Sequence, residues 1–386
     1  MRIASRPSLP LIAVALVATL CLVCGILRPG LNYDVIPYAA LAKQMRGAGG
    51  KAEAYRELAS KVGNSGFGLY VSGAYRERMY RDDGFFQVNL PLYTIRPFYI
   101  FLCSVVGLLV GNDVAATYIV SAVAASLALL LSYAIACIAG LAGNWRLAVP
   151  LTWITAGALN LAALSTPDAL ETLLTMLFVL ISITGPWKGG RAVCLILFGA
   201  LMVATRTDAL LLVVSLAVLE WLLRPRHRLV SALVFLGALS TYLTVQTLSG
   251  NWGYIALLNF VIDHNPAVVP NHVPNLPGYI KMAVSQTYLM LGADFEHPLF
   301  LLAVSLLATA WFHERRVCAT QEADTFNQQA LILCAALVVY LVVRFALFPL
   351  PLARYVTNAY VLAGILFARA IQPTAPRTAG FKAGVM

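Results

Sequence analysis

Residues 97–111 read PFYIFLCSVVGLLVG, an apolar run preceded by Arg96 and closed by Gly111 and Asn112. As an α-helix it would be about 22 Å long at 1.5 Å per residue, against a hydrocarbon core of about 30 Å. It is apolar enough for a bilayer and short for crossing one. The orientation of everything downstream hangs on it. If it does not cross, the basic clusters Lys188/Arg191, Arg224/Arg226/Arg228 and Arg315/Arg316 all fall on the side of the amino terminus. If it crosses, every one of them falls on the opposite side. Short loops rich in Lys and Arg stay cytoplasmic, so the run is read as an interfacial or re-entrant helix.

Upstream, SLPLIAVALVATLCLVCGIL (8–27) follows Arg2 and Arg6. Its apolar stretch exceeds a typical signal core and lacks a clear small-x-small site before Arg28, so it is read as an uncleaved first span. Downstream candidates are 114–140, 147–165, 168–185, 191–205, 208–223, 229–248, 297–312, 329–348 and 352–369, which makes about ten spans. The expected fold is all-α: a polytopic transmembrane bundle over 1–370 with both termini cytoplasmic. Its long first outer loop, 28–113, carries interfacial helices, notably the helix-prone 43–62 and the Arg-aromatic 75–87. A second large outer loop covers 249–296, and 371–386 reads as a disordered tail.

Composition agrees. Hydrophobic residues make up 60% and charged residues 11%, against roughly 45–50% and about 25% in soluble domains. That argues against a water-soluble fold and against disorder. The seven cysteines lie mostly in apolar runs without framework spacing, which argues against a disulfide scaffold. The formal charge of +10 fits cytoplasmic loops and surfaces that meet anionic lipid, and no nucleic-acid motif accompanies it.

This topology brings the unusual polar residues to one outer face. Asp34, in LNYDVIPYAALA, is placed to act as a general base on an acceptor hydroxyl, or as a helix N-cap. Asp82 and Asp83 could flank a sugar hydroxyl or take a divalent cation, or form a solvated turn before Gly84. Asp168 follows Thr166 and Pro167 as a helix start, with Thr166 as N-cap, while Glu171 one turn deeper is costly in a span and points to a cavity role. Arg206 and Asp208, in ATRTDALLL, either pair with each other or leave Arg206 to grip a phosphate while Asp208 opens the next helix. Arg344, Arg354 and Tyr355 supply further donors, unless the arginines only snorkel to the interface.

The histidines His227, His264, His272, His297 and His313 have no metal-ligand spacing, and Cys21 and Cys24 fall inside an apolar helix. No metal site is expected from them. Nor is there a GxxxxGK[ST], a strand-linked GxGxxG or a GxSxG, so ATP-driven transport, dinucleotide chemistry and serine hydrolysis lack their signatures.

In this order the chain resembles the integral-membrane GT-C glycosyltransferases, in the branch of protein O-mannosyltransferases and lipid A aminoarabinose transferases. The matching features are Asp34 after the first span, NLPLYTIRPFYIFLCSVVGLLVG (89–111), TPDAL (166–170), GALMVATRTDALLL (199–212) and RYV (354–356). The resemblance implies a polyprenyl-phosphate sugar donor, a lipid, glycan or protein acceptor, and a bacterial inner-membrane location. It implies Asp34 as base, Asp168 as a second acidic site residue, and Arg206, Arg354 and Tyr355 at the donor phosphate. Asp82 and Asp83 stand where the family often has an acidic pair or Glu, making Asp83 a further catalytic candidate. Asp208 and Glu171 would support the site; no cofactor is certain, and a divalent cation is compatible with these acids. The chain departs from relatives in lacking a soluble carboxy-terminal domain, which leaves acceptor recognition to loop 249–296.

Two other readings stand beside the enzyme. Buried Asp and Arg also mark substrate paths in a secondary transporter or lipid-sugar flippase, although no inverted halves are evident. A noncatalytic membrane scaffold would use the same residues as caps and helix-helix pairs.

Overall fold

The computed structural model describes residues 8–263, 271–291, 298–320 and 325–372. Arg2, Arg6, His264, His297 and the expected tail from 373 onward lie outside the described residues. The described chain is helical, without strands. Its elements are α1 (Leu9–Leu27), α2 (Val35–Gln44), α3 (Lys51–Val71), α4 (Ala74–Arg81), α5 (Asp83–Asn89), α6 (Pro91–Thr94), α7 (Pro97–Val110) and α8 (Asp113–Ile138). They continue with α9 (Ala148–Thr155), α10 (Ala158–Ala163), α11 (Asp168–Ile183), α12 (Gly190–Thr205), α13 (Leu210–Leu223), α14 (Arg228–Leu248), α15 (Tyr254–Asp263), α16 (Leu276–Met290), α17 (Pro298–Thr320), α18 (Thr325–Leu347) and α19 (Ala353–Ile371).

Among the described residues, four stretches are long and apolar enough to cross a membrane: Leu9–Leu27, Asp113–Ile138, Pro225–Leu248 and Asn327–Leu347. A fifth arises if Asp83–Thr94 and Pro97–Val110, bent by 107°, count as one broken span. The expected span over 147–165 is two short helices, because Gly157 adopts φ 76° between α9 and α10. The helix-prone 43–62 is likewise divided: α2 ends at Gln44 and α3 starts at Lys51, with the chain turning through Gly47 at φ 68°.

α1 and α8 pack antiparallel through small residues. Ser126 Oγ donates to the Ala18 carbonyl at 2.9 Å, and a Cβ on Gly25 would stand 2.7 Å from that of Ala122. With Gly25 level with Ala122, the first turns of α8 overhang the end of α1 by roughly 10 Å. α7 runs back along that overhang: Tyr99 Oη donates to the Thr117 carbonyl at 3.1 Å, and Gly107 faces Asp113. The turn between α7 and α8 uses Gly111 at φ 69° and Asn112, whose side chain caps Ala115 N at 2.7 Å.

Helices α2 and α3 are clamped to the same overhang. Buried Asp113 accepts from Lys43 at 3.0 Å and Arg46 at 2.7 Å, while Glu57 caps the start of α8 at Asp113 N (2.7 Å) and Val114 N (3.1 Å). The opposite ends of the long helices carry separate ties. Arg369 bonds the Ala139 carbonyl at 2.9 Å and pairs with Glu314. His227 Nδ1 lies 2.9 Å from Glu220 and its ring stacks on Trp187.

Candidate functional site

The ends of α12 and α18 and the starts of α11, α13 and α19 carry one connected polar cluster, and Asp34, before α2, and Arg96, before α7, lie within reach of its charges. Asp168, at the first position of α11, is buried and pairs with Arg206, the C-cap of α12. Arg206 then grips Asp208 bidentately, through Nε and Nη2 at 2.9 Å each. Arg344, in the last turn of α18, donates to the same Asp208 oxygen at 3.1 Å. Arg354, in the first turn of α19, holds its Nε 3.9 Å from Asp168. Thus the two alternatives for Arg206 and Asp208 collapse into one arrangement, in which the pair is formed and is shared with Asp168 and Arg344.

Tyr355 stands at the centre. The guanidinium carbons of Arg206, Arg344 and Arg354 lie 4.6, 4.8 and 4.9 Å from its ring centroid, and Arg354 donates to its hydroxyl at 3.0 Å. The electron-rich ring face attracts each cation, which helps hold three like charges in one pocket. Arg344 and Arg206 do not snorkel outward, their side chains being 6% and 12% exposed.

Asp34 occupies the other side of the cluster. Although it precedes α2, it makes no capping hydrogen bond. Its carboxylate instead accepts from Asn32 Nδ2 at 3.0 Å and Tyr93 Oη at 3.4 Å. Burial pushes the Asp34 carboxyl above the ordinary carboxylate range and nearby Asp168 pushes the same way, while the charges of Arg96 and Arg354 pull it down. A carboxylate shifted up in this way is a stronger proton acceptor than a solvated one.

Thr166 was expected to cap α11, but the cap position belongs to Pro167. Thr166 Oγ1 instead donates to Asp168 at 2.7 Å, orienting the carboxylate that faces Arg206. Glu171 is buried one turn below and accepts from Asn358 at 2.7 Å and Thr175 at 3.2 Å, tying α11 to α19. Asp82 and Asp83 are not joined to this cluster by any contact among the described residues. Asp82 caps α5 by accepting from Phe85 N at 2.9 Å, and Asp83, with its side chain 89% exposed, pairs with Lys51 at 2.6 Å.

Arg96 is the main residue that sequence reasoning passed over. It hydrogen-bonds Tyr38 and the Leu92 carbonyl, the latter at 3.2 Å, and its charge reaches Asp34 and Asp168. A signal existed: a cation directly at a helix N-terminus opposes the helix dipole, so Arg96 before Pro97 called for an anionic neighbour. Tyr38 and Tyr93 line the same wall, in edge contact at 5.4 Å.

Beside Arg354 lies a cavity of about 330 Å³, lined mostly by apolar groups including Gly157, Leu161, Leu164, Leu299 and Leu352. The kink at Gly157 between α9 and α10 and the start of α19 form its walls. Among the described residues no group of three or more His, Cys, Asp or Glu side chains could hold a metal ion.

Compared with family models, curated proteins and solved structures, the chain matches none.

Proposed function

We propose that this chain is a membrane glycosyltransferase that moves a sugar from a polyprenyl-phosphate donor to a hydroxyl acceptor at the outer face of a bacterial inner membrane. The observation that carries the reading is Arg354, which touches Asp168 and Tyr355 on one side and lines an apolar cavity on the other. A phosphate attached to a long hydrocarbon needs that pairing: a cation with donors to spare, next to a dry groove for the chain.

Arg206 commits Nε and both terminal nitrogens to Asp168 and Asp208. Arg354, 28% exposed at its side chain, is therefore the better phosphate ligand, with Arg206 and Arg344 fixing the acids and Tyr355 around it. In the reaction, Asp34 takes the acceptor hydroxyl proton as the oxygen bonds to the anomeric carbon. The bond from that carbon to the phosphate oxygen breaks, and its electron pair leaves on the polyprenyl phosphate. Arg354 faces the growing negative charge.

Ten crossings suit this reading. The cluster joins helix ends that alternate along the chain, with Asp34 after α1, Asp168 before α11, Arg206 after α12, Arg344 near the end of α18 and Arg354 at the start of α19. α7 contributes no crossing if it stays beside the overhang of α8. The connections bearing Lys188, Arg191, Arg224, Arg226 and Arg228 then belong to the cytoplasm, as short basic loops do.

The decisive experiment is transfer from a crude polyprenyl-phosphate sugar pool by the purified chain and by Asp34→Asn. Loss of glycosidic product in the variant supports the base. Retained transfer removes it, and uptake of substrate into vesicles without any glycosidic product would favour the carrier reading.

A further inference from the structure

Helices α3, α4 and α5 line a second, more open cleft of a different character. It measures about 640 Å³, within the size range of small-ligand pockets, about 300–1,000 Å³. Its lining includes Lys51, Tyr55, Arg56, Phe67, Tyr80 and Asp83. The three rings form an edge-packed set, Tyr55 with Tyr80 at 4.9 Å, Tyr55 with Phe67 at 6.3 Å and Phe67 with Tyr80 at 5.9 Å. Tyr80 keeps 42% of its surface open.

The polar groups complete a recognisable chemistry. Lys51 and Asp83 are paired at 2.6 Å, presenting a donor and an acceptor side by side, as neighbouring sugar hydroxyls require. Arg56 makes no ion pair or hydrogen bond with a described residue. Lys51 and Asp83 cancel within the lining, so Arg56, whose charge also acts on Glu53 one turn before it, gives the cleft wall its remaining cation. Its planar fork matches a carboxylate or a phosphate.

We infer that this cleft binds a saccharide bearing an anionic group. An apolar sugar face rests on Tyr80, hydroxyls meet the Lys51–Asp83 pair, and Arg56 takes the anion. Tyr55 Oη lies 3.2 Å from Tyr33 Oη, next in sequence to Asp34, so a glycan held here sits one aromatic wall away from the proposed base. The inference extends the glycosyltransferase reading by naming an acceptor class, and it gives Asp83 a binding role in place of a catalytic one.

The test is binding of trigalacturonate, with neutral maltotriose as its counterpart, to the full chain in lipid nanodiscs by calorimetry. Trigalacturonate should bind at least tenfold more tightly than maltotriose. Arg56→Gln, an exposed position, and Tyr80→Ala should each weaken it at least tenfold, while Arg354→Gln leaves it unchanged. Tyr80→Phe should retain binding, which separates ring stacking from a folding defect. Equal affinity for the two sugars, no binding of either, or loss in Arg354→Gln alone would overturn the assignment. Asp34→Asn should abolish transfer yet keep trigalacturonate bound, so failure of the cleft and failure of the enzyme reading give different results.

Discussion

Arg354 and Asp168 face each other at 3.9 Å, joining the first turn of α19 to the first turn of α11 across nearly half of the chain length. Neither is satisfied by this contact alone: Asp168 is also held by Arg206 and Thr166, whereas among the described residues Arg354 donates a hydrogen bond to the Tyr355 hydroxyl and rests by its ring. The acid is fixed and the cation is adjustable, which is the asymmetry a phosphate ligand needs. Arg354→Gln should therefore lower transfer by about 10²-fold, the range for removing one donor from a developing oxyanion. Arg354→Lys should recover part of it, since a point charge replaces the fork. Steady-state kinetics with varied donor would read both, and wild-type rates in Arg354→Gln would remove Arg354 from the donor site.

The pH dependence has a defined sign. Asp34 works as a base only when ionised, so activity should fall as pH drops through its pKa, and burial places that limb above the usual carboxylate range. Arg96 pulls in the opposite direction. Arg96→Gln removes that pull, so the acid limb should move to higher pH. A pH-rate profile that stays in place or moves to lower pH would break the link between Arg96 and Asp34.

Asp113 has a structural assignment instead. It anchors Lys43 of α2 and Arg46 just after it to the start of α8, and its side chain is 1% exposed. Asp113→Asn should cost about 1–3 kcal/mol, less than the 3–5 kcal/mol typical of breaking a fully buried pair, because Lys43 and Arg46 keep partial access to water. Limited proteolysis between Gln44 and Gly50 should speed up in the variant. Unchanged cleavage there would mean that α2 and α3 are held by apolar packing alone.

Much of this was legible in the sequence because a bilayer imposes so few solutions on an apolar chain. α1, α8, α14 and α18 stand out by length and hydropathy. Asp168, Arg206, Arg354 and Tyr355, expected to share one face, do meet there, with Asp34 within reach of their charges. What periodicity could not reveal was three-dimensional pairing. Asp82 and Asp83 look like a catalytic pair on paper, yet one caps α5 and the other meets Lys51, a residue thirty-two positions away. Arg96 looked like a boundary charge, and its partner Tyr38 lies in another helix. The kink at Gly157 was hidden because glycine inside an apolar run is common in membrane helices.

The packing of α1 on α8 offers a stability test that is independent of chemistry. Gly25 has no room for a side chain: a Cβ there would meet Ala122 Cβ at 2.7 Å and the Ala162 carbonyl oxygen at 2.8 Å. The obstacles belong to two helices and one is backbone, so relief requires moving α1 away from both α8 and α10. Gly25→Ala should therefore destabilise the bundle by about 1–3 kcal/mol, the usual cost of overpacking, although alanine is intrinsically the better helix former. Gly68→Ala, in α3 with open space around its Cβ position, should be neutral or slightly stabilising. Thermal unfolding in detergent would compare the two, and equal midpoints would mean that α1 does not approach α8 this closely.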